Sequence, residues 1–228
     1  NLYINGNELV TEANIDTATS IGKYAFYSYD KLTSVTIGDQ VTSIGSYAFD
    51  DCSSLTSITI GEGVTSIGKY AFSGCSSLTD VYYTGDINGW ASISFGSERA
   101  NPLYHGENLY INGNELVTEA NIDTATSIGK YAFDGYYKLT SVTIGEQVTS
   151  IGSYAFNNCS RLTSVTIESN YAYANAGTRY NQCGYLLNYA TEVRVLTSCI
   201  GTSTNSYLED SATFTETTDG DYTVYTKI

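Results

Sequence analysis

The sequence has one proline, one histidine and one tryptophan among 228 residues. With Pro102 alone, its turns must be made by glycine and small polar residues. A lone His105 leaves any Ser-His-Asp or Cys-His site a single possible base, and no nucleophile motif surrounds it. No glycine-rich loop precedes a helix to cradle phosphate. Basic residues are also scarce: ten Lys and Arg stand against 24 Asp and Glu, a formal net charge of −14. That excess excludes nucleic acid and anionic membrane surfaces, which would repel the chain. No apolar run approaches the roughly 20 residues of a membrane span. Residue 1 is Asn and no signal peptide is visible, which reads as a mature or trimmed segment.

Five cysteines are present: Cys52, Cys75, Cys159, Cys183 and Cys199. An odd number at no metal-like spacing is not a disulfide framework. Cys52, Cys75 and Cys159 each stand three residues after an Ala-Phe pair, where Tyr29 and Tyr136 occupy the same slot. A slot that accepts Cys or Tyr reads as packing, since cysteine is among the most buried residue types. The redox or metal reading is the weaker one. Whether Cys183 and Cys199 pair is left open.

A recurring phrase organises the rest. Leu-Thr-Ser-Val-Thr-Ile-Gly-Asp-Gln-Val-Thr-Ser-Ile-Gly-Ser-Tyr-Ala-Phe runs from Leu32 to Phe49, restarts at Leu55 and Leu78, and returns at Leu139 and Leu162. Rung starts at Val10, Leu32, Leu55, Leu78, Val117, Leu139 and Leu162 are spaced 22, 23, 23, 39, 22 and 23 residues apart. A fixed period in this range marks a solenoid. A longer repeat of 107 residues overlies it. Residues 1–26 and 108–133 are identical, and 1–60 match 108–167 at 52 of 60 positions. Six of the eight differences fall between one Ala-Phe and the next Leu, the segment expected to be an outward loop.

Each unit has a physical reading. Leu32, Val35 and Ile37 alternate with Ser34 and Thr36, a half-buried strand. Gly38 turns the chain, Val41 and Ile44 return to the core, and Ser46 to Phe49 reads as a helical or 3₁₀ turn. Five of the seven Phe share one slot, which predicts a buried aromatic spine. Between Leu78 and Val117 the rhythm lapses. Asp86 to Ile93 reads as a short helix capped by Asp86, with Ile87, Trp90 and Ile93 on one side. Asn112-Gly113-Asn114 marks a hairpin, expected beside the solenoid, and the same hairpin opens the chain. After Ile167 the period fails. Residues 168–190 have room for a helix, 192–196 read as a strand, and 211–227 read as a hairpin about Asp219-Gly220. Residues 168–228 are therefore expected to be a C-terminal cap following a repeat array over 1–167, with an insert at about 84–107.

The phrase Leu-x-x-Val-x-Ile-Gly-x-x-Val-x-x-Ile-x-x-x-Ala-Phe-x-x-Cys-x-x-Leu resembles the repeat of the BspA-like, or treponemal class, leucine-rich repeat family. The resemblance covers roughly 9–82 and 116–167. Gly38, Gly61 and Gly145 stand where many members carry Pro, a change expected to affect turn stiffness. The resemblance implies a secreted or cell-surface bacterial protein, in some relatives an adhesin for matrix proteins or other bacteria. It implies no catalytic residues.

The outward strand positions are the face a solenoid usually offers to partners. Most are Ser or Thr. Asp80, Tyr82, Glu119 and Asn121 stand out, near the Trp90 insert, as a candidate ligand-binding face. Trp90 reads either as part of a sugar or peptide pocket there or as the anchor of the insert, and packing is preferred. Tyr24, Tyr47, Tyr70, Tyr131 and Tyr154 form a row that reads as an adhesive surface or, preferably, as a shield for the spine. Asp39, Glu62 and Glu146 share a turn register, preferably as a solvated acidic edge rather than a Ca²⁺ site.

These observations predict an α/β leucine-rich repeat solenoid, right-handed, with parallel β ladders and short helical or 3₁₀ turns. The expected function is non-catalytic adhesion or protein binding at the cell surface or after secretion, with no cofactor or metal. The expected partner is a host or bacterial surface protein, such as a matrix protein, or a glycan; the chain is expected to be a monomer. A structural spacer presenting other domains is the alternative, and carbohydrate binding near Trp90 is a third.

Overall fold

The computed structural model describes residues 11–170, 189–200 and 214–228, together with 3–4, 8–9, 186–187 and 208. The chain divides into two compact units, Asn1–Val117 and Thr118–Ile228. Each is built from parallel ladders of short strands, one strand per rung. Among the described residues, no helix is long and apolar enough to cross a membrane.

The first unit opens with an antiparallel pair, β1 (Tyr3–Ile4) and β2 (Glu8–Leu9). Three rungs follow, each with a four-residue and a two-residue strand. They are β3 (Glu12–Ile15) and β4 (Ser20–Ile21), β5 (Ser34–Ile37) and β6 (Ser43–Ile44), and β7 (Ser57–Ile60) and β8 (Ser66–Ile67). The longer strands pair in parallel with like residues in register, Val35 opposite Ile58 and Ile37 opposite Ile60. Their alternation is the one expected: Val35 and Ile37 are buried while Ser34 and Thr36 face outward. The short strands make a second parallel ladder, with Ile21, Ile44 and Ile67 in register.

The segment after Leu78 continues both ladders. Its strand β9 (Asp80–Tyr83) extends the first ladder. Helix α1 (Ile87–Ser92) follows, its N-terminus capped by the Asp86 carboxylate, which accepts from Gly89 N at 2.8 Å. Then β10 (Ser94–Phe95) joins the second ladder against β8. Two 3₁₀ turns, Glu98–Ala100 and Pro102–Tyr104, lead to the hairpin β11 (Asn108–Ile111) and β12 (Glu115–Leu116). The hairpin was expected beside the solenoid. Instead β11 pairs with β9 in parallel and continues the main sheet, because its Leu109 and Ile111 alternate inward as a rung strand's would.

The second unit repeats the scheme with β13 (Glu119–Ile122), β14 (Ser127–Ile128), β15 (Ser141–Ile144), β16 (Ser150–Ile151) and β17 (Ser164–Ile167). Strand β18 (Glu192–Leu196) adds a further parallel strand and leads into α2 (Thr197–Ile200). The hairpin β19 (Phe214–Asp219) and β20 (Tyr222–Lys227) turns at Gly220 and lies antiparallel to β18. The helix considered for 168–190 falls largely outside the described residues, as does Cys183.

The turn before each Ala-Phe corner differs from a helical or 3₁₀ turn. Tyr47 has φ +60° and Asp51 +61°, with residues in the same slots of the other rungs alike. These left-handed residues aim alternate N–H groups at the next rung. Tyr47 N donates to Lys69 O at 3.0 Å, Phe49 N to Ala71 O at 2.9 Å and Asp51 N to Ser73 O at 2.8 Å. This side of the rung is thus a third backbone ladder. At its last rung the insert supplies acceptors: Tyr70 N donates to Ser97 Oγ and Phe72 N to Arg99 O, both at 3.2 Å.

The core follows from the repeat. Phe26, Phe49 and Phe72 stack at centroid spacings of 5.1 and 5.3 Å, and Phe133 and Phe156 at 5.4 Å, with ring planes nearly parallel. Phe49 and Phe72 have no exposed surface. The glycine that follows β5, β7 and β15 does more than set turn stiffness. A Cβ on Gly61 would fall 2.5 Å from the carbonyl carbon of Gly38, so the rungs approach too closely for a side chain. Phe49→Ala is expected to lower stability by about 3–5 kcal/mol, measured by urea unfolding. Gly61→Ala should destabilise as well, by forcing two turns apart.

Candidate binding face and cleft

Asp80 and Tyr82 lie on the outward side of β9, both half-buried. The ladder brings two residues to them that the sequence reading left out. Asn108 sits opposite Asp80 and Tyr110 opposite Tyr82. Asn108 Nδ2 donates to Asp80 Oδ1 at 2.8 Å, and Thr79 Oγ1 donates to Asp80 Oδ2 at 2.9 Å. The Tyr82 and Tyr110 rings stack at 4.9 Å with planes 14° apart. The signal was present in the alternation of Asn108-Leu109-Tyr110-Ile111, which matches that of Asp80-Val81-Tyr82-Tyr83.

Trp90 does not reach this face. It has no exposed surface and packs edge-on to Tyr83 at 5.7 Å and against Phe95 at 5.6 Å. Its place on the buried side of α1 makes it the anchor of the insert. Glu119 and Asn121 are exposed on β13, in the second unit's own sheet, opposite Ser141 and Thr143.

A cleft of about 260 Å³ opens beside the tyrosine pair. Thr59, Tyr82, Tyr83, Thr84, Tyr110, Gly113 and Asn114 line it. The hairpin turn forms one wall, with Asn112, Gly113 and Asn114 all at positive φ. A larger open recess of about 640 Å³ lies on the turn side and includes Asp39, Glu62, Tyr83 and Asp86. There the acidic register is structural in part. Asp39 Oδ1 accepts from Glu62 N at 3.1 Å and from Thr84 Oγ1 at 2.7 Å, tying three rungs together. Tyr83 donates to Glu62 O at 3.3 Å. Burial pushes its phenol up to about 12, with Asp86, Glu62 and Asp39 adding to the effect. Among the described residues, no group of three or more His, Cys, Asp and Glu could hold a metal ion.

The tyrosine row is a continuous outer ladder in each unit. Tyr24, Tyr47 and Tyr70 stack at 5.0 and 5.2 Å, and Tyr131 and Tyr154 at 5.2 Å. Tyr24 keeps 47% and Tyr70 37% of its surface in solvent, so the row covers the spine only partly. All five have φ near +60°. That conformation costs a non-glycine residue about 1–2 kcal/mol, which ring stacking helps to offset. Lys23 lies 4.7 Å from the Tyr24 ring and Lys130 5.0 Å from that of Tyr131.

The Cys slots are interior. Each thiol donates to a phenylalanine carbonyl of the preceding rung: Cys52 to Phe26 at 3.1 Å, Cys75 to Phe49 at 3.2 Å and Cys159 to Phe133 at 3.1 Å. Tyr29 and Tyr136 fill the slot, also buried, in the first rung of each unit. Burial raises all three thiols, Cys52 to about 12. Such thiols are poor nucleophiles. The unfolded chain releases the Cys52 proton near the ordinary value of 9.0, whereas the folded chain holds it until about pH 12. Between those values the unfolded state binds fewer protons, so this stability is full below about pH 9 and is lost as pH rises. Cys52→Val is therefore expected to lose less stability than the parent between neutral and strongly alkaline pH, measured by urea midpoints. In the native parent, iodoacetamide should modify Cys52, Cys75 and Cys159 far more slowly than in urea.

The model of the family described as BspA type leucine rich repeat region matches residues 6–116 and 106–195, in six copies. No curated protein matches the chain. Among solved structures it is similar to a leucine rich cell surface protein from Faecalibacterium prausnitzii, at 28% identity over 72% of this chain and 48% of that one, with TM-score 0.42. It is also similar to the leucine rich repeat protein of T. pallidum, at 24% identity, 68% and 58% coverage and TM-score 0.35. A leucine-rich repeat protein from Bacteroides ovatus matches at 18% identity, 87% and 75% coverage and TM-score 0.30. The chain spans about half the length of the F. prausnitzii protein and 58% of the T. pallidum protein.

Proposed function

The chain belongs to the BspA type leucine rich repeat family, and from that premise we propose that it is a non-catalytic adhesion module. It acts after secretion or at a cell surface and binds a protein on a host or bacterial surface. One observation carries this reading. In the first unit the outward strand positions lie in register across β5, β7, β9 and β11, as Ser34, Ser57, Asp80 and Asn108 beside Thr36, Thr59, Tyr82 and Tyr110. Backbone pairing holds these groups in place before any partner arrives, so little ordering entropy is lost on contact. The two tyrosines supply contact area with few rotatable bonds. The charge of −14 favours a neutral or basic partner.

A second reading, a structural spacer, draws on the identity of 52 of 60 positions between the two modules, since duplicated rungs add length without new specificity. Surface plasmon resonance of the chain against a panel of matrix proteins separates the two. Adhesion predicts saturable binding at micromolar concentrations or below. The double variant Ser34→Lys with Thr36→Lys should weaken it about tenfold or more, by crowding two long cations onto the face. Absence of binding across the panel would favour the spacer.

A further inference from the structure

We propose that the cleft beside Tyr82 is a site for one neutral sugar ring, such as the end of a glycan. This deepens the binding role proposed above and rests on the outward face being open to partners. The strand register sets the geometry. Thr59, Tyr82 and Tyr110 are neighbours on β7, β9 and β11. Tyr110 covers one face of the Tyr82 ring by stacking at 4.9 Å. The other face looks toward β7, where the side chain is only threonine. A large ring beside a small residue leaves a step, and the cleft of about 260 Å³ occupies it.

The chemistry of the lining selects the class of ligand. The Tyr82 ring offers its electron-rich face, which attracts the slightly positive C–H bonds along one side of a pyranose. Two polar side chains on the lining, the Thr59 hydroxyl and the Asn114 carboxamide, make no hydrogen bond among the described residues. Together they offer donors and acceptors to ring hydroxyls. The Thr84 hydroxyl is already committed, donating to Asp39 and accepting from Glu62 N. No charged side chain lines the cleft, so it gives a charged sugar no counter-ion. Its volume falls just below the roughly 300 Å³ at which sites for drug-sized ligands begin, which suits a single ring. Positive φ at Gly113 and Asn114 turns the hairpin tip so that Asn114 reaches the lining.

The test uses the whole chain. Methyl glycosides of glucose, galactose and N-acetylglucosamine are titrated while NMR follows the Thr59 methyl and the Asn114 side-chain amide. At least one should shift both signals saturably in the millimolar range. Tyr82→Ala should weaken that binding about tenfold or more. Thr59→Tyr should do the same by filling the step, and its outward strand position lets the sheet form without truncation. Glu12→Lys with Asn14→Lys, on β3 two strands beyond Thr59, should leave sugar binding unchanged even where protein binding is lost. No saturable shift with any of the three glycosides would overturn the proposal. So would equal binding by Thr59→Tyr, or a response to aromatic peptides alone.

Discussion

Everything in each unit depends on parallel backbone pairing between like positions of successive rungs. Strands in a sheet lie about 4.7–4.9 Å apart, so each rung must bring the chain back to the same place one such step along. The side chains record that step. Phenylalanine centroids repeat at 5.1–5.4 Å and tyrosine centroids at 5.0–5.2 Å. Most slots that pack against their own copies therefore hold one residue type, as Phe26, Phe49 and Phe72 do, whereas the column of Cys52 and Cys75 begins with Tyr29. A side chain where two turns nearly touch is excluded, which explains glycine at 38, 61 and 145.

The same constraint explains how backbone polarity is handled. A solenoid corner has no regular helix or strand to satisfy its peptide groups. Here the left-handed residues at positions 47 and 51, and their counterparts, turn alternate N–H groups along the axis. The corner becomes a ladder as orderly as the strands. Threonines complete it from outside: Thr56 Oγ1 donates to Thr33 O and Thr79 Oγ1 to Thr56 O. The buried thiols do so from inside. Cysteine in this slot is thus a small apolar group with one weak donor, aimed at the second lone pair of a carbonyl that already accepts a backbone N–H.

The periodic part of the fold was legible in the sequence because it is set by burial. Val35 and Ile37, Phe49 and Cys52 repeat with the rung, and burial follows the repeat. The corner was not legible in the same way. Tyrosine before Ala-Phe suggests a helical turn by pattern, and only the stack of rings tolerates its positive φ. The slot after it holds Ser28, Asp51, Gly74, Gly135 and Asn158, a set suited to left-handed backbone that was the available clue. The place of the hairpin was misjudged because β9 and β11 are separated by a helix, a short strand and two 3₁₀ turns, so their spacing breaks the period while their alternation keeps it. For the candidate face, Asp80 and Tyr82 were visible as departures from Ser and Thr. Asn108 and Tyr110 were not, since their pairing with β9 crosses that same interruption.

The irregular insert has a bearing on how the first unit finds its alignment. Rungs this alike offer a folding chain many nearly isoenergetic ways to pair, each displaced by one whole repeat. Ser97 and Arg99 accept from Tyr70 and Phe72, and Phe95 sits opposite Ile67. Trp90 packs edge-on to Tyr83. A displaced chain forfeits all of these at once. Within the first unit, the stretch that departs from the repeat is therefore its landmark, an address in an otherwise translationally degenerate array.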